Sequence, residues 1–190
     1  MNKLYIIGGP GRCGKTTIMR EFLDKKKVVA VSSDAVRAGF RYLNKKVLQT
    51  NYSVNEIDDE LTWQMMVGII LYYNHKNISL VLEGVVFTPD RVKSLELSNL
   101  EVRAVFVGFV EDNHIDSIIE FAHENKDWVY DNITKVNNGD DSEIRKMFKQ
   151  DQENSKQSLL KAKEYGYSFF SIDNKPFEDY KKQVVDYLLE

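Results

Sequence analysis

At 190 residues the chain is long enough to fill one domain without disulfides or metals to hold it together. Its 43% hydrophobic and 29% charged composition is that of an ordinary folded protein and excludes a disordered or fibrous one. A formal charge of −3 excludes a general nucleic-acid binder, which carries a basic surplus, but leaves room for local basic pockets.

The first apolar run, Lys3–Gly8, reads as a buried strand. It leads directly into Gly9-Pro10-Gly11-Arg12-Cys13-Gly14-Lys15-Thr16, a full G-x-x-x-x-G-K-[ST] octapeptide, and then a helix-like segment from Thr17 to Lys25. Strand, glycine-rich turn and helix in that order make a cradle for a triphosphate. The backbone N–H groups of Gly9, Gly11, Arg12, Cys13, Gly14, Lys15, Thr16 and Thr17 can turn inward, with the positive end of the helix behind them. In that geometry Lys15 reaches the outer phosphates and the Thr16 hydroxyl ligates Mg²⁺. Cys13 is the only cysteine, so no internal disulfide exists, and its place in the turn suits a small filler rather than a nucleophile. No leader is visible, and the longest membrane candidate, around residues 65–73, is too short to span. These features point to a cytoplasmic protein.

Four further β-branched runs read as parallel strands: Val28–Ser32, Ser79–Glu83, Val102–Phe109 and Ser168–Ile172. Helical segments lie between them, the alternation of an α/β sheet in a single domain over residues 1–190. After the second strand one helix starts near Asp34 and another at Ser53, where Ser53 and Glu56 form a capping box. In the latter, Val54, Ile57, Leu61, Met65, Gly68 and Tyr72 predict one apolar face. Thr88-Pro89 reads as an N-cap followed by proline in the first turn. Asn137–Asp140 is a turn cluster ahead of a long helix from about Ser142 to Glu164, closed by Gly166.

The reaction has to be read from the other strand ends, where open α/β sheets bind ligands. Neither the D-x-x-G switch nor the N-K-x-D guanine reader of a GTPase is present. The second strand ends at Ser32-Ser33-Asp34, and a helix there places Asp34, Arg37 and Arg41 on one face. A carboxylate to deprotonate an attacking hydroxyl, and guanidiniums to hold an anionic acceptor, are what a kinase requires. An N-cap role for Asp34 is compatible with that chemistry. The third strand ends in Glu83-Gly84, with Glu83 placed to hold Mg²⁺ through a water, to face the acceptor or to cap the next turn. Residues 111–145 read as a lid segment, with Arg145 at the start of the long helix as its arginine. His114 and His123 are not spaced as a metal pair. After the last strand, Asp173 and Asn174 are placed to touch the base or ribose of a nucleotide, or to form a turn.

Gly9–Thr17, Ser33-Asp34-Ala35-Val36-Arg37 and Leu80-Val81-Leu82-Glu83-Gly84 together resemble the P-loop kinases of the nucleoside/nucleotide-kinase superfamily. The likeness is nearest to the branch of 2-phosphoglycerate kinase-like proteins, zeta toxins and polynucleotide-kinase domains. The resemblance implies a P-loop NTPase fold: three α/β/α layers with a five-stranded parallel sheet of order 2-3-1-4-5. It further implies ATP and Mg²⁺ as cofactors and a hydroxyl as acceptor. It carries Lys15 and Thr16 over as phosphate and metal residues, Asp34 as the base and Arg37 as an acceptor contact. Two departures stand out: Glu111–Asp141 contains no arginine, and Phe121-Ala122-His123 lacks the arginines of true 2-phosphoglycerate kinases. The expectation is an ATP-dependent small-molecule kinase whose acceptor is an anionic metabolite, a nucleoside or a nucleotide, catalysed by Lys15, Asp34, Arg37 and Arg145. Asn174 would lie on the nucleotide, and Asp34, Arg37, Arg41 and Glu83 on the acceptor, with Thr16 and Glu83 on the metal. It would work as a monomer or homodimer, binding neither membrane nor general nucleic acid. The alternative is a non-catalytic ATP-binding regulatory module.

Overall fold

A computed structural model of the chain describes residues 2–43, 55–95, 100–124 and 141–190. Among the described residues the apolar runs form β1 (Lys3–Gly8), β2 (Val29–Ser32), β3 (Leu80–Gly84), β4 (Glu101–Gly108) and β5 (Ser168–Ser171). They pair in parallel in the order β2-β3-β1-β4-β5. The connecting segments are α1 (Lys15–Lys25), α2 (Ser33–Leu43), α3 (Asn55–His75), α4 (Pro89–Lys93), α5 (Asn113–Glu124), α6 (Asp141–Tyr165) and α7 (Phe177–Leu189).

Parallel strands covered on both faces are apolar on both faces, and β1 shows why no alternation is visible in its sequence. Tyr5 and Ile7 enter one cluster, with Phe22 of α1, Ile115 of α5 and Val184 and Leu188 of α7. Leu4 and Ile6 enter the other, with Trp63, Met66 and Ile70 of α3 and Val92 of α4. The long helix α6 contributes Ile144 and Phe148 to the first cluster and Ala162 to the second. It therefore passes from one layer to the other. Between these ends the Ser155 hydroxyl accepts the Phe109 N–H at 3.4 Å, and Gln152 donates to the Val110 carbonyl at 3.1 Å. These bonds fix α6 across the C-terminal end of β4, beside the octapeptide.

The structure corrects the expected face of α3. Leu61, Met65 and Tyr72 are 36%, 42% and 58% exposed. The packed stripe is Thr62, Trp63, Met66 and Ile70. Apolar residues ring this helix, so periodicity alone does not choose a side. The indole does, because burying Trp63 against Phe87, ring centroids 6.2 Å apart, removes far more apolar area from water. Within the segment expected as a lid, Asn113–Glu124 is a helix whose Ile115 and Ile119 belong to the core. Ser53, Val54 and the Asn137–Asp140 turn lie outside the described residues, as does the rest of the lid between 125 and 140. The Thr88 cap is present, its hydroxyl accepting the Arg91 N–H at 3.3 Å. Gly166, at φ 76°, closes α6.

Candidate functional site

The octapeptide forms the turn between β1 and α1. Gly14 caps the helix at φ 71°, no side-chain cap bonds the helix N-terminus among the described residues, and the first turn holds no acid. Helix N–H groups left without intrahelical partners, at the positive end of the dipole, suit an anion. Arg12 also takes a left-handed φ of 63°, the alternation that turns successive N–H groups inward into an anion nest. Lys15, 7% exposed, folds back to donate to the Pro10 carbonyl at 2.5 Å, which holds its ammonium within the turn. Cys13 is fully buried, and burial pushes its thiol up from 9.0 to about 12. That excludes a thiolate near neutral pH and leaves Cys13 as packing. The Tyr180 hydroxyl of α7 donates to the Cys13 carbonyl at 3.0 Å, and the Phe177 ring lies against Gly14.

Below the turn, the Thr16 hydroxyl donates to Glu83 Oε1 at 3.4 Å. Glu83 is 1% exposed and ends β3, paired in register with Ile7 of β1 and Ser32 of β2. A buried carboxylate and a hydroxyl converging beside a phosphate-binding turn fit Mg²⁺, which takes one or two protein oxygens and completes its octahedron with phosphate and water. Among the described residues no group of three His, Cys, Asp or Glu forms a self-sufficient metal cage. Gly84, at φ 150°, is the residue that lets this corner close: a side chain there would begin 1.7 Å from the Ser33 hydroxyl.

The sequence expectation placed Asp34 at the N-cap, but the helix begins at Ser33 and the cap is Ser32, whose hydroxyl accepts the Asp34 N–H at 3.2 Å. Asp34 is exposed in the first turn, at the same sheet edge as Glu83. Arg37 forms an ion pair with Asp59 of α3. Arg41 is exposed further along α2. Arg145 is exposed and bonded to Asp116 of α5 at 2.6 Å, and no described contact brings it to the phosphate turn. His114 packs on Phe109, and burial lowers its pKa, so it is neutral near pH 7. Asp173 accepts the Val110 N–H at 2.7 Å and the Ser171 hydroxyl, a brace between strand ends. Asn174, at φ 55°, accepts from Asn113 at 3.2 Å.

A cavity of about 580 Å³ opens beside Gly9 and Pro10, between the loop after β3 and the middle of α6. Its walls include Phe87, Asp90, Arg91, Asp151, Asn154 and Lys161, none of which the sequence reading singled out. Asp151 is central. Its Oδ2 lies 4.0 Å from the point where a side chain on Gly11 would start. Burial pushes its carboxyl up from 3.8 to about 6, against the pull of Lys15 and Arg12. The signal that would have found it is an acid on the packed stripe of α6, between Phe148 and Gln152.

No protein-family model and no curated protein matches the chain. Solved structures do. A shikimate kinase from Bacteroides thetaiotaomicron superposes at TM-score 0.62 with 15% identity, covering 100% of this chain and 99% of that one. A gluconokinase from Sinorhizobium meliloti 1021 gives 0.60 at 10% identity, covering 99% and 91%. A dephospho-CoA kinase from Campylobacter jejuni gives 0.53 at 10%, covering 97% and 96%. At these identities the likeness is one of fold. The five-stranded parallel sheet of order 2-3-1-4-5, with helices on both faces, is that of the P-loop kinases. The likeness does not single out the branch of 2-phosphoglycerate kinases and zeta toxins.

Proposed function

We propose that the chain is an ATP-dependent kinase that transfers the γ-phosphoryl group to a hydroxyl of a small molecule. The observation that carries this is the Thr16–Glu83 contact at 3.4 Å, beneath a helix N-terminus free of capping side chains and next to a cavity of small-molecule size. A turn that merely bound a phosphate would not need a buried acid aimed at the threonine. The neighbours of like fold are small-molecule kinases by name, which agrees with the reading.

In the reaction the bond from the γ-phosphorus to its bridging oxygen breaks, leaving ADP, and a new bond forms to the acceptor oxygen. The hydroxyl proton passes to a carboxylate, for which Asp34 at the sheet edge is the first candidate. Mg²⁺, held through Thr16 and Glu83, would neutralise the phosphate charge as the bond breaks. Lys15 would release the Pro10 carbonyl and turn to the phosphates. Gly9, Gly11, Arg12, Cys13, Gly14 and Thr17 would cradle them through backbone N–H groups. Asn174 and the Phe177 ring would frame the outer end of the nucleotide. Arg37 and Arg41 would approach the acceptor from α2.

The test is acceptor-dependent ADP release by the purified chain with Mg·ATP. Thr16→Ala and Glu83→Gln should each lower kcat by roughly 10²-fold or more, in keeping with the loss of a positioned transition-state contact. Tight ATP binding with no turnover across a broad acceptor panel would sink the kinase reading and mark a nucleotide-sensing module instead.

A further inference from the structure

The cavity beside the phosphate turn carries a charge pattern that bears on which acceptor it takes. Its cations are already engaged. The Arg91 guanidinium donates to the Val86 carbonyl at 3.2 Å and to Glu60 at 3.1 Å, and it lies 5.6 Å over the Trp63 ring. Lys161 is bonded to Glu164 at 2.9 Å. Outside the lining, Arg37 is paired through one terminal nitrogen with Asp59, itself a wall residue, while its buried Nε has no hydrogen-bond partner among the described residues. To engage Arg91 or Lys161, the cations of the wall, an incoming carboxylate or phosphate would have to break their pairs while facing Asp59, Asp90 and Asp151.

The carboxylates are not balanced in the same way. Asp90 accepts the Tyr165 hydroxyl at 2.7 Å. Asp151 has no hydrogen-bond donor or ion-pair partner among the described residues, though Lys15 and Arg12 lie within electrostatic range. Asn154, Gln157 and Ser158 add neutral donors and acceptors on the same helix, facing a floor of Pro10, Val85 and Phe87. Asp151 is half-buried, and a half-buried carboxylate with no protein donor is stabilised by a ligand that brings one. Hydroxyl and ammonium groups do so; carboxylates and phosphates do not.

Resting on the kinase reading above, we propose that this cavity is the acceptor site and that it takes an uncharged or amine-bearing polyol, not an anionic metabolite, with Asp151 as the residue that receives its donors. Asp151 acts here in binding and specificity. Asp34 remains the candidate base.

The experiment uses matched acceptor sets, each an uncharged polyol or sugar with its amino, carboxylate and phosphate derivatives. Each is assayed for kcat/KM by ADP release and for binding to the chain loaded with a non-hydrolysable ATP analogue. The expected result is that uncharged and amino members exceed their anionic counterparts by roughly tenfold or more, about 1.4 kcal/mol. Asp151→Asn should lower kcat/KM for the amino member roughly tenfold more than for its uncharged parent. That ratio does not move if a variant merely reduces the amount of folded protein. Preference for the carboxylate or phosphate members overturns the proposal, as does a ratio unchanged in Asp151→Asn. Silence of every set while the ATP analogue still binds overturns it too. Failure of the analogue itself to bind overturns the kinase reading, and this inference with it.

Discussion

Replacing Cys13 with alanine should alter how stability depends on pH far more than it alters stability at neutrality. In the folded chain burial holds the thiol protonated up to about 12, against an ordinary 9.0. Unfolding frees it to ionise from about pH 9, so above that pH the folded state binds more protons than the unfolded one. The stabilisation is therefore complete below pH 9 and is lost as pH rises toward 12. The slope is about 1.4 kcal/mol per pH unit, and the full interval corresponds to roughly 4 kcal/mol. Urea unfolding followed by circular dichroism, in steps from about pH 8 to about pH 10.5, should show the parent losing roughly 2 kcal/mol more than Cys13→Ala over that range. Tyr180, whose phenol burial also pushes up, contributes to both proteins and largely cancels in the difference. Parallel profiles for the two proteins would refute the argument, because they would mean that the thiol is not desolvated. A thiol reagent offers a second check: at neutral pH it should label Cys13 no faster than the whole chain opens.

Three further outcomes follow from the packing and the charges. Tyr180→Phe keeps the ring but strands the buried Cys13 carbonyl, and should cost about 1–3 kcal/mol in urea unfolding with the m-value unchanged. On α3, Met66→Ala should cost about 2–5 kcal/mol and Met65→Ala within ~0.5 kcal/mol of nothing; equal losses would restore the face rejected above. Asp151, with its carboxyl raised from 3.8 to about 6, favours folding in acid and penalises it as pH rises through 6. Asp151→Asn should therefore be the more stable protein at pH 8 by about 1–3 kcal/mol, the larger figure being discounted for solvent in the cavity, with the advantage gone below about pH 4. An advantage independent of pH would count against this account.

The strands and the phosphate turn were legible because their signals are local. β-branched runs bounded by glycine fix the sheet, and the spacing of Gly9, Gly14, Lys15 and Thr16 fixes a backbone geometry whatever surrounds it. The pairing of Thr16 with Glu83 was half legible, since the acid ends a strand and strand ends gather at one edge. What stayed hidden depends on tertiary choice. The face of α3 turned on where Trp63 found its partner, which periodicity cannot decide in a helix apolar all round. The wall formed by Asp151, Asn154 and Lys161 arises because α6 crosses between layers over the end of β4, through Ser155 and Gln152. No spacing within α6 announces that crossing. Arg37 was read from a helix face shared with Asp34 and Arg145 from a helix start, and the structure gives each an acidic partner from another helix.

The phosphate turn stands near the start of this sequence, but its far support, the Tyr180 hydroxyl on the Cys13 carbonyl, comes from 167 residues away. Contacts that span so much chain form late, because the intervening loop must be closed before they contribute. During synthesis the turn would leave the ribosome early and wait, without its brace, until α7 emerged and docked. Competence to hold a nucleotide would thus depend on a segment made well after the turn itself. Nascent chains stalled before Phe177 should therefore release ATP that chains extended through α7 retain, and equal retention by both would contradict this order of events.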